Sequence, residues 1–331
     1  MVVACAPNRT RTAAPAGRAV ALGLLGCGTA LPRRRVGNAE LIACRGLDTT
    51  DEWVREKTGI RERRIASAGE GVVSLATAAA RDALRAARVD AADLEVVVLA
   101  TCTSETVIPC AAACVQGEIG AASAAAWDVN SACSGFSFAL ESAVRYLAGG
   151  HGTGLVIGAD CGSRTAAADD RLTSVFFGDG AGAAVVGAGE SAGGGRLLAS
   201  RLRTTGLRQP LSMPAGGAMR MDGRAVWRYA VEELPATVRG LCDDACVDVS
   251  RIDRVVAHQS NRNILAAAAE SLGVPADRFA CNIESLGNTI AASIPLAMAD
   301  ALQEGSVRRG DLVAVVGYGG GLSSGGHLWR L

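Results

Sequence analysis

The chain has 331 residues, enough for one large core or two fused halves. Lys+Arg and Asp+Glu both number 33, so the net charge is zero, and 49% of residues are hydrophobic. That balance argues against a general nucleic-acid-binding surface and gives no membrane-surface signal, and no apolar run is long enough to span a bilayer.

Residues 1–18 are polar, carry Arg9, Arg11 and Arg18, and contain no apolar segment of signal-peptide length; they read as a disordered extension. Ala19–Gly28 reads as the first strand. A loop at Leu31-Pro32 precedes an amphipathic helix around Asn38–Cys44, and the capping-box spacing of Thr49 to Glu52 opens another helix. Gly59–Arg64 is charged and reads as a turn or sheet edge. Val72–Ala87 is an Ala-rich helix followed by a strand at Leu94–Thr101.

The apolar run Ala124–Val129 predicts a buried strand ending near Asn130. Beyond Cys133 the period changes: Phe136, Leu140, Val144 and Leu147 share one helical face, and the helix stops at Gly149-Gly150. With Ser131 as N-cap, Cys133 falls in the first helical turn, where unpaired N–H groups and the helix dipole lower a thiol's pKa. Phe176–Val186 is a Gly-rich turn into a strand. Near the end, Leu312–Val316 runs into Gly317–Gly326, another Gly-rich stretch. Neither has the spacing of a dinucleotide loop, and bare backbone N–H groups suit an oxyanion better.

One pattern recurs. Val89–Ala100 (VDAADLEVVVLA) returns as Val247–His258 (VDVSRIDRVVAH), each copy following an Ala-containing helical segment. The offset is nearly half the chain, which predicts a duplication: two α/β halves, each a helix-covered sheet. The second copy delivers His258-Gln259-Ser260-Asn261 just past a strand's carboxyl end, the usual ligand position in open α/β sheets. Asn263–Leu272 then reads as a helix. Gly287–Pro295 forms a second polar elbow opening a helix marked by Ile294, Ala297, Met298 and Ala301.

Eleven scattered cysteines and three histidines argue against a zinc site, and a reduced compartment is the simpler reading. The single lysine, Lys57, excludes a Walker phosphate loop. Cys133, His258 and Asn288 each sit on a small-residue elbow, and a thiol nucleophile, an imidazole and an amide donor form a set suited to acyl transfer.

Seven stretches then carry a resemblance: DTTDEW (48–53), TGIRERR (58–64), SACSGF (131–136), FGDGAGAAV (177–185), HQSN (258–261), GNTIAAS (287–293) and YGGGLSSG (318–325). In order and spacing the chain from about Ala19 to Leu331 resembles the β-ketoacyl-ACP synthase III family of the thiolase superfamily. The resemblance implies an α/β fold with five αβαβα layers in two halves (residues 19–190 and 191–331) about a pseudo-two-fold axis. It also implies a homodimer, while the cysteine usage above reads as a cytoplasmic compartment. Cys133 would take an acyl group from acyl-CoA, and the backbone N–H groups of Cys133 and Gly320 would form the oxyanion hole. His258 and Asn288 would stabilise the enolate left when malonyl-acyl carrier protein (malonyl-ACP) loses CO2. No metal or redox cofactor is implied. Trp53 and Arg171 match the pair that sandwiches the CoA adenine, with Thr49 in the same substrate-binding set; Gly223, Asn261 and Phe177 match the pantetheine channel and acyl pocket.

Departures from the family pattern point to a pathway-specific relative. Ile108 stands where a Phe often shapes the acyl pocket across the dimer interface, and Tyr318 replaces the Phe before the glycine triplet. Asn263, Glu270 and Ser271 replace basic residues, while Arg224 and Arg228 remain for carrier-protein docking. The alternative within the superfamily is an acyltransferase that moves the acyl group to an alcohol or amine without condensation.

Overall fold

The computed structural model describes residues 22–148, 152–167, 170–188 and 195–331. The expected N-terminal extension and the helix stop at Gly149-Gly150 lie outside them. In the first half the elements are β1 (Leu22–Ala30), β2 (Arg34–Gly37), α1 (Asn38–Arg45), α2 (Asp51–Thr58), β3 (Glu62–Ile65), α3 (Val72–Ala87), β4 (Leu94–Ala100), α4 (Ala111–Ile119), β5 (Ala125–Val129), α5 (Gly135–Leu147), β6 (Thr153–Cys161), α6 (Arg171–Ser174) and β7 (Asp179–Ala188). The second half has β8 (Arg196–Thr204), β9 (Leu211–Ser212), β10 (Arg220–Met221), α7 (Gly223–Ala245), β11 (Arg254–Ala257), α8 (Arg262–Leu272), α9 (Ile283–Leu286), α10 (Ser293–Gln303), β12 (Leu312–Gly319) and β13 (Ser323–Arg330).

The repeated segments fold alike. Helices α3 and α7 both end on a left-handed residue, Arg88 (φ 56°) and Cys246 (φ 53°). Asp90 and Asp248 then cap matching one-turn 3-10 helices by accepting from Ala92 N–H and Ser250 N–H. The strands β4 and β11 follow directly. Their sheets match strand for strand: β1-β7-β6-β4-β5 and β8-β13-β12-β11, with Phe279 making a parallel bridge to Val255 where the second sheet's fifth strand would lie. In both, the first two pairings are antiparallel and the next is parallel.

Burial sets the layers. Apolar faces of α3 and α4 cover one side of the first sheet, and α7 and α8 cover the outer side of the second. Helices α5 and α10 fill the centre, where Phe136, Leu140, Val144 and Leu147 pack with Ile294, Ala297, Met298 and Ala301 between the sheets. The order is therefore αβαβα, as expected, and it aims the N-terminal ends of both central helices into the middle of the molecule.

One local expectation is corrected, and two segments gain detail. The N-cap of α2 is Thr50, whose hydroxyl accepts Trp53 N–H, and not Thr49, because the chain stays extended through Thr50. The glycines of the Gly317–Gly326 stretch lie largely in β12 and β13, and those of β12 press against the cysteine elbow. A Cβ on Gly317 would sit 2.9 Å from Ser134 Cα. The charged Gly59–Arg64 segment forms the expected edge, with β3 pairing against β2, and it is partly buried. Arg63 is fully buried and donates to the carbonyls of Val36 and Val175, and burial pushes its guanidinium down to about 10.

Candidate active site

Strand β5 ends at Val129, and the chain turns through Ala132, which takes the left-handed φ of 45°, into a one-turn 3-10 helix, Ala132–Ser134, that continues as α5. Cys133 sits on this elbow, 5% exposed, among Phe177, Met219 and Ile290. A positive φ on alanine is strained, and such strain concentrates where a side chain must be presented. Ser131 does not cap the helix, contrary to expectation; its hydroxyl lies 2.9 Å from Ser134 Oγ.

The thiol is a second correction. Burial, reinforced by the charge of Asp160, pushes Cys133 up to about 12, and one backbone hydrogen bond is the opposing influence. A single 3-10 turn does not offset the loss of water around a thiolate. Asp160, at the end of β6, is fully buried and pushed up to about 6 by that burial, against hydrogen bonds from Cys102 N–H, Ala291 N–H and the hydroxyls of Thr101 and Thr103.

His258 follows β11, and Asn288 follows α9. Both line the cleft that reaches Cys133, with Phe176, Phe177, Leu211, Met221, Gly223, Val226, Trp227, Ser260, Asn261, Ile264, Tyr318 and Gly319. His258 is buried and held far below the ordinary imidazole value, at about 3, by loss of hydration, so it is neutral at physiological pH. Its Nδ1 lies 2.6 Å from Ser293 Oγ, which leaves Nε2 for the cleft. Asn288 is zipped to the loop before β7: its N–H donates to Phe176 C=O, and its own carbonyl accepts from Gly178 N–H. Its Oδ1 accepts from Ile290 N–H at 2.9 Å, so the Nδ2 amide is the part left for a ligand.

The glycine loop closes the far side of the sulfur. A Cβ on Gly319 would lie 2.6 Å from Cys133 Cβ, so only glycine allows β12 to approach there, while Gly320 packs over Ala132. Tyr318 does not offer its hydroxyl freely to the thiol: it pairs with Ser260 Oγ at 2.8 Å and donates to His258 C=O at 3.2 Å, its ring set edge-on to the imidazole.

At the outer end, the Arg171 guanidinium lies 5.4 Å from the Trp53 ring centroid and donates to Asp48 C=O. Thr49 Oγ1 is buried without a partner among the described residues. Asn261 lines the cleft and also braces it, capping α8 through Asn263 N–H and donating to Lys57 C=O. Ile108 does not reach the cleft of its own chain; it stands 89% exposed beside Val107 at 92%. Lys57 and Arg262 are paired with Glu56 and Glu284, whereas Arg224 and Arg228 form no ion pair among the described residues. Those residues gather no group of three or more potential metal ligands and include no helix long and apolar enough to cross a membrane. All ten described cysteines are unpaired thiols.

Ser293, Asp160 and the strained Ala132 carry no distinctive local sequence signal. Ser293 lies in a quoted stretch but looked like a helix start; Asp160 was hidden at the end of an apolar strand, where a lone acid gives no periodic signal.

A doubled sheet with a buried cysteine, an imidazole and a carboxamide on one cleft is an arrangement of the thiolase fold. The chain matches the family models described as 3-oxoacyl-[acyl-carrier-protein (ACP)] synthase III at residues 127–206 and, for the C-terminal part, 242–331. It is 44% identical over 317 residues to β-ketoacyl-[acyl-carrier-protein] synthase III of Rhizorhabdus wittichii, covering 93% of this chain and 98% of that protein. The 3-oxoacyl-[acyl-carrier-protein] synthase III structure from Aquifex aeolicus superimposes with a TM-score of 0.90 at 39% identity, covering 94% of this chain and all of that one. The priming β-ketosynthase of the R1128 polyketide biosynthetic pathway superimposes with a TM-score of 0.87 at 33% identity, over 95% of this chain and 98% of that one. The chain belongs to the β-ketoacyl-ACP synthase III family.

Proposed function

We propose that the protein catalyses the decarboxylative condensation of an acyl-CoA primer with malonyl-ACP, initiating fatty-acid or polyketide synthesis. The observation that supports this reading is that Cys133, His258 and Asn288 line one cleft, with His258 Nδ1 held at Ser293 Oγ and Asn288 Oδ1 held by Ile290 N–H, so that His258 Nε2 and Asn288 Nδ2 remain for a ligand.

The Cys133 sulfur attacks the acyl-CoA carbonyl, the developing oxyanion is held by backbone N–H groups of Cys133 and Gly320, and CoA leaves with the thiol's proton. Malonyl-ACP then enters with its thioester oxygen toward His258 and Asn288. Breaking the carboxylate C–C bond releases CO2 and leaves an enolate whose charge the two donors stabilise. Neutral, preorganised donors in a dry pocket suit this, since each is worth roughly a hundredfold or more in rate. The enolate carbon attacks the acyl-cysteine carbonyl, and the tetrahedral intermediate expels the Cys133 thiolate, which takes up a proton. The sequence balances without a metal or redox cofactor.

Trp53 and Arg171 clasp the CoA adenine with Thr49 beside them, and Gly223, Asn261, Phe177 and Tyr318 line the pantetheine and acyl path. Ile108, exposed on its own chain, shapes the partner's acyl pocket in a homodimer, and the free thiols fit a cytoplasmic protein. The test is mass spectrometry of the protein after acyl-CoA and then malonyl-ACP. A Cys133 adduct discharged with CO2 release and β-ketoacyl-ACP is expected. An adduct discharged only by an alcohol or amine would replace condensation with simple acyl transfer.

A further inference from the structure

We propose that Ser293 is a positioning residue that holds His258 as its Nε2–H tautomer, so that the imidazole meets the malonyl thioester as a hydrogen-bond donor. The inference rests on the condensation reading above and adds a residue to that site.

One proton decides the tautomer. Ser293 opens α10, and both it and His258 are 1% exposed. Its Oγ lies 2.6 Å from His258 Nδ1 and accepts Gln259 N–H at 3.3 Å. Gln259 is itself fixed, its side-chain amide donating to the carbonyls of Ala257 and Ala280, so the backbone carrying that N–H is held in place. With Gln259 N–H already directed at the serine oxygen, the hydroxyl proton has one acceptor among the described residues, Nδ1. The opposite tautomer would aim two N–H donors at one oxygen and leave the hydroxyl proton buried without a partner, the costlier arrangement. The tautomer of a histidine follows the hydrogen bond made by its other nitrogen, so Nδ1 as acceptor puts the proton on Nε2.

The edge-on Tyr318 ring and its bond to His258 C=O restrain the imidazole without touching either ring nitrogen. Position is thus shared between Tyr318 and Ser293, while protonation is set by Ser293.

The experiment combines nitrogen-15 NMR of the histidine rings with the two half-reactions. Only three histidines are present, so the His258 signals are assignable by substitution. The wild-type protein is expected to carry the His258 proton on Nε2. Ser293→Ala leaves Nδ1 without a partner, so the His258 nitrogen signals should move from a single Nε2–H form to a mixture of tautomers, and malonyl-ACP decarboxylation should slow by about 10- to 100-fold at nearly unchanged KM, leaving Cys133 acylation within about twofold. Ser293→Thr, which keeps the hydroxyl, should restore both signals. A wild-type proton on Nδ1, or full decarboxylation by a folded Ser293→Ala protein, would overturn the proposal. A wild-type enzyme with Nε2–H that acylates but never condenses would instead sink the condensation reading and leave the tautomer assignment standing.

Discussion

At the first elbow Asn130 Oδ1 accepts Ala132 N–H, Ala132 takes φ 45°, Cys133 follows, and a one-turn 3-10 helix runs into α5. At the second, Asn288 Oδ1 accepts Ile290 N–H, Ile290 takes φ 53°, Ala291 stands in the cysteine's place, and a one-turn helix runs into α10. The backbones are duplicates, and their environments divide the chemistry. Asn130 is exposed and serves its own turn, whereas Asn288 is buried by the Phe176–Gly178 strap and presents its amide to the cleft. Ala291 cannot be a nucleophile; its N–H is anchored to Asp160 of the first half, which ties the two elbows together. Duplication supplied the geometry twice, and burial decided which side chain of each copy became useful.

The largest break in this comparison comes from the sulfur. Cys133→Ala should abolish the acyl adduct and lower condensation by about 10,000-fold or more, since the covalent route is removed. The mirrored swap, Ala291→Cys in that background, should not restore an adduct by mass spectrometry, because Ala291 is not among the residues lining the cleft.

Next come the two asparagines. Asn288→Ala should slow decarboxylation of malonyl-ACP about 100-fold or more while sparing Cys133 acylation, the cost of one lost oxyanion donor. Asn130→Ala removes the equivalent bond in the other elbow and should change stability by about 1 kcal/mol or less, with decarboxylation little affected; urea unfolding and a CO2-release assay measure the pair. Equal kinetic losses at both positions would mean that the amide acts through the elbow's backbone and not on substrate.

The same contrast has a pH signature. Cys133 is a protonated thiol below about 12, so its reactive thiolate fraction grows with pH. The acylation half-reaction should therefore climb, up to roughly tenfold per unit, across about pH 6 to 9, and should not level off near neutrality. His258 is kept neutral down to about 3, so decarboxylation by the pre-acylated enzyme should stay flat with respect to this group from about pH 5 to 8. Stopped-flow CO2 release against adduct formation separates the two profiles.

Much of this was legible from residue patterns and some was not. The layers were, because the periodicity of Val72–Ala87 and of Phe136 through Leu147, together with the VDAADLE/VDVSRID repeat, specifies helices on both faces of two like sheets. The elbow residues were legible as small polar clusters at strand ends and helix starts. The thiol's protonation was not, since a helix start signals activation while burial by Phe177, Met219 and Ile290, brought from three distant segments, acts the other way. The buried Arg63 and Asp160 were missed for the same reason: their partners are carbonyls and amides supplied by tertiary packing, and no local pattern encodes them.

The smallest effect tests the strain at the elbows. A left-handed φ costs an L-residue about 1–2 kcal/mol, and glycine escapes that cost while giving up somewhat more chain entropy on folding. Ala132→Gly should therefore change stability by less than about 1 kcal/mol, in the stabilising direction if strain dominates. Ile290→Gly relieves the same strain, yet Ile290 is fully buried against Cys133 and Phe177. Removing that side chain opens a cavity costing about 2–5 kcal/mol, so the matched substitution should be clearly destabilising in urea or thermal unfolding. Kinetics complete the comparison. If the left-handed turn is what presents the sulfur, Ala132→Gly should retain acylation, because glycine holds the turn but does not enforce it, with a loss of no more than about tenfold from the added freedom. Ala132→Pro, whose ring fixes φ near −65° and removes the N–H that Asn130 Oδ1 accepts, should lose much more acylation than that while leaving the Asn288 elbow and its decarboxylation intact.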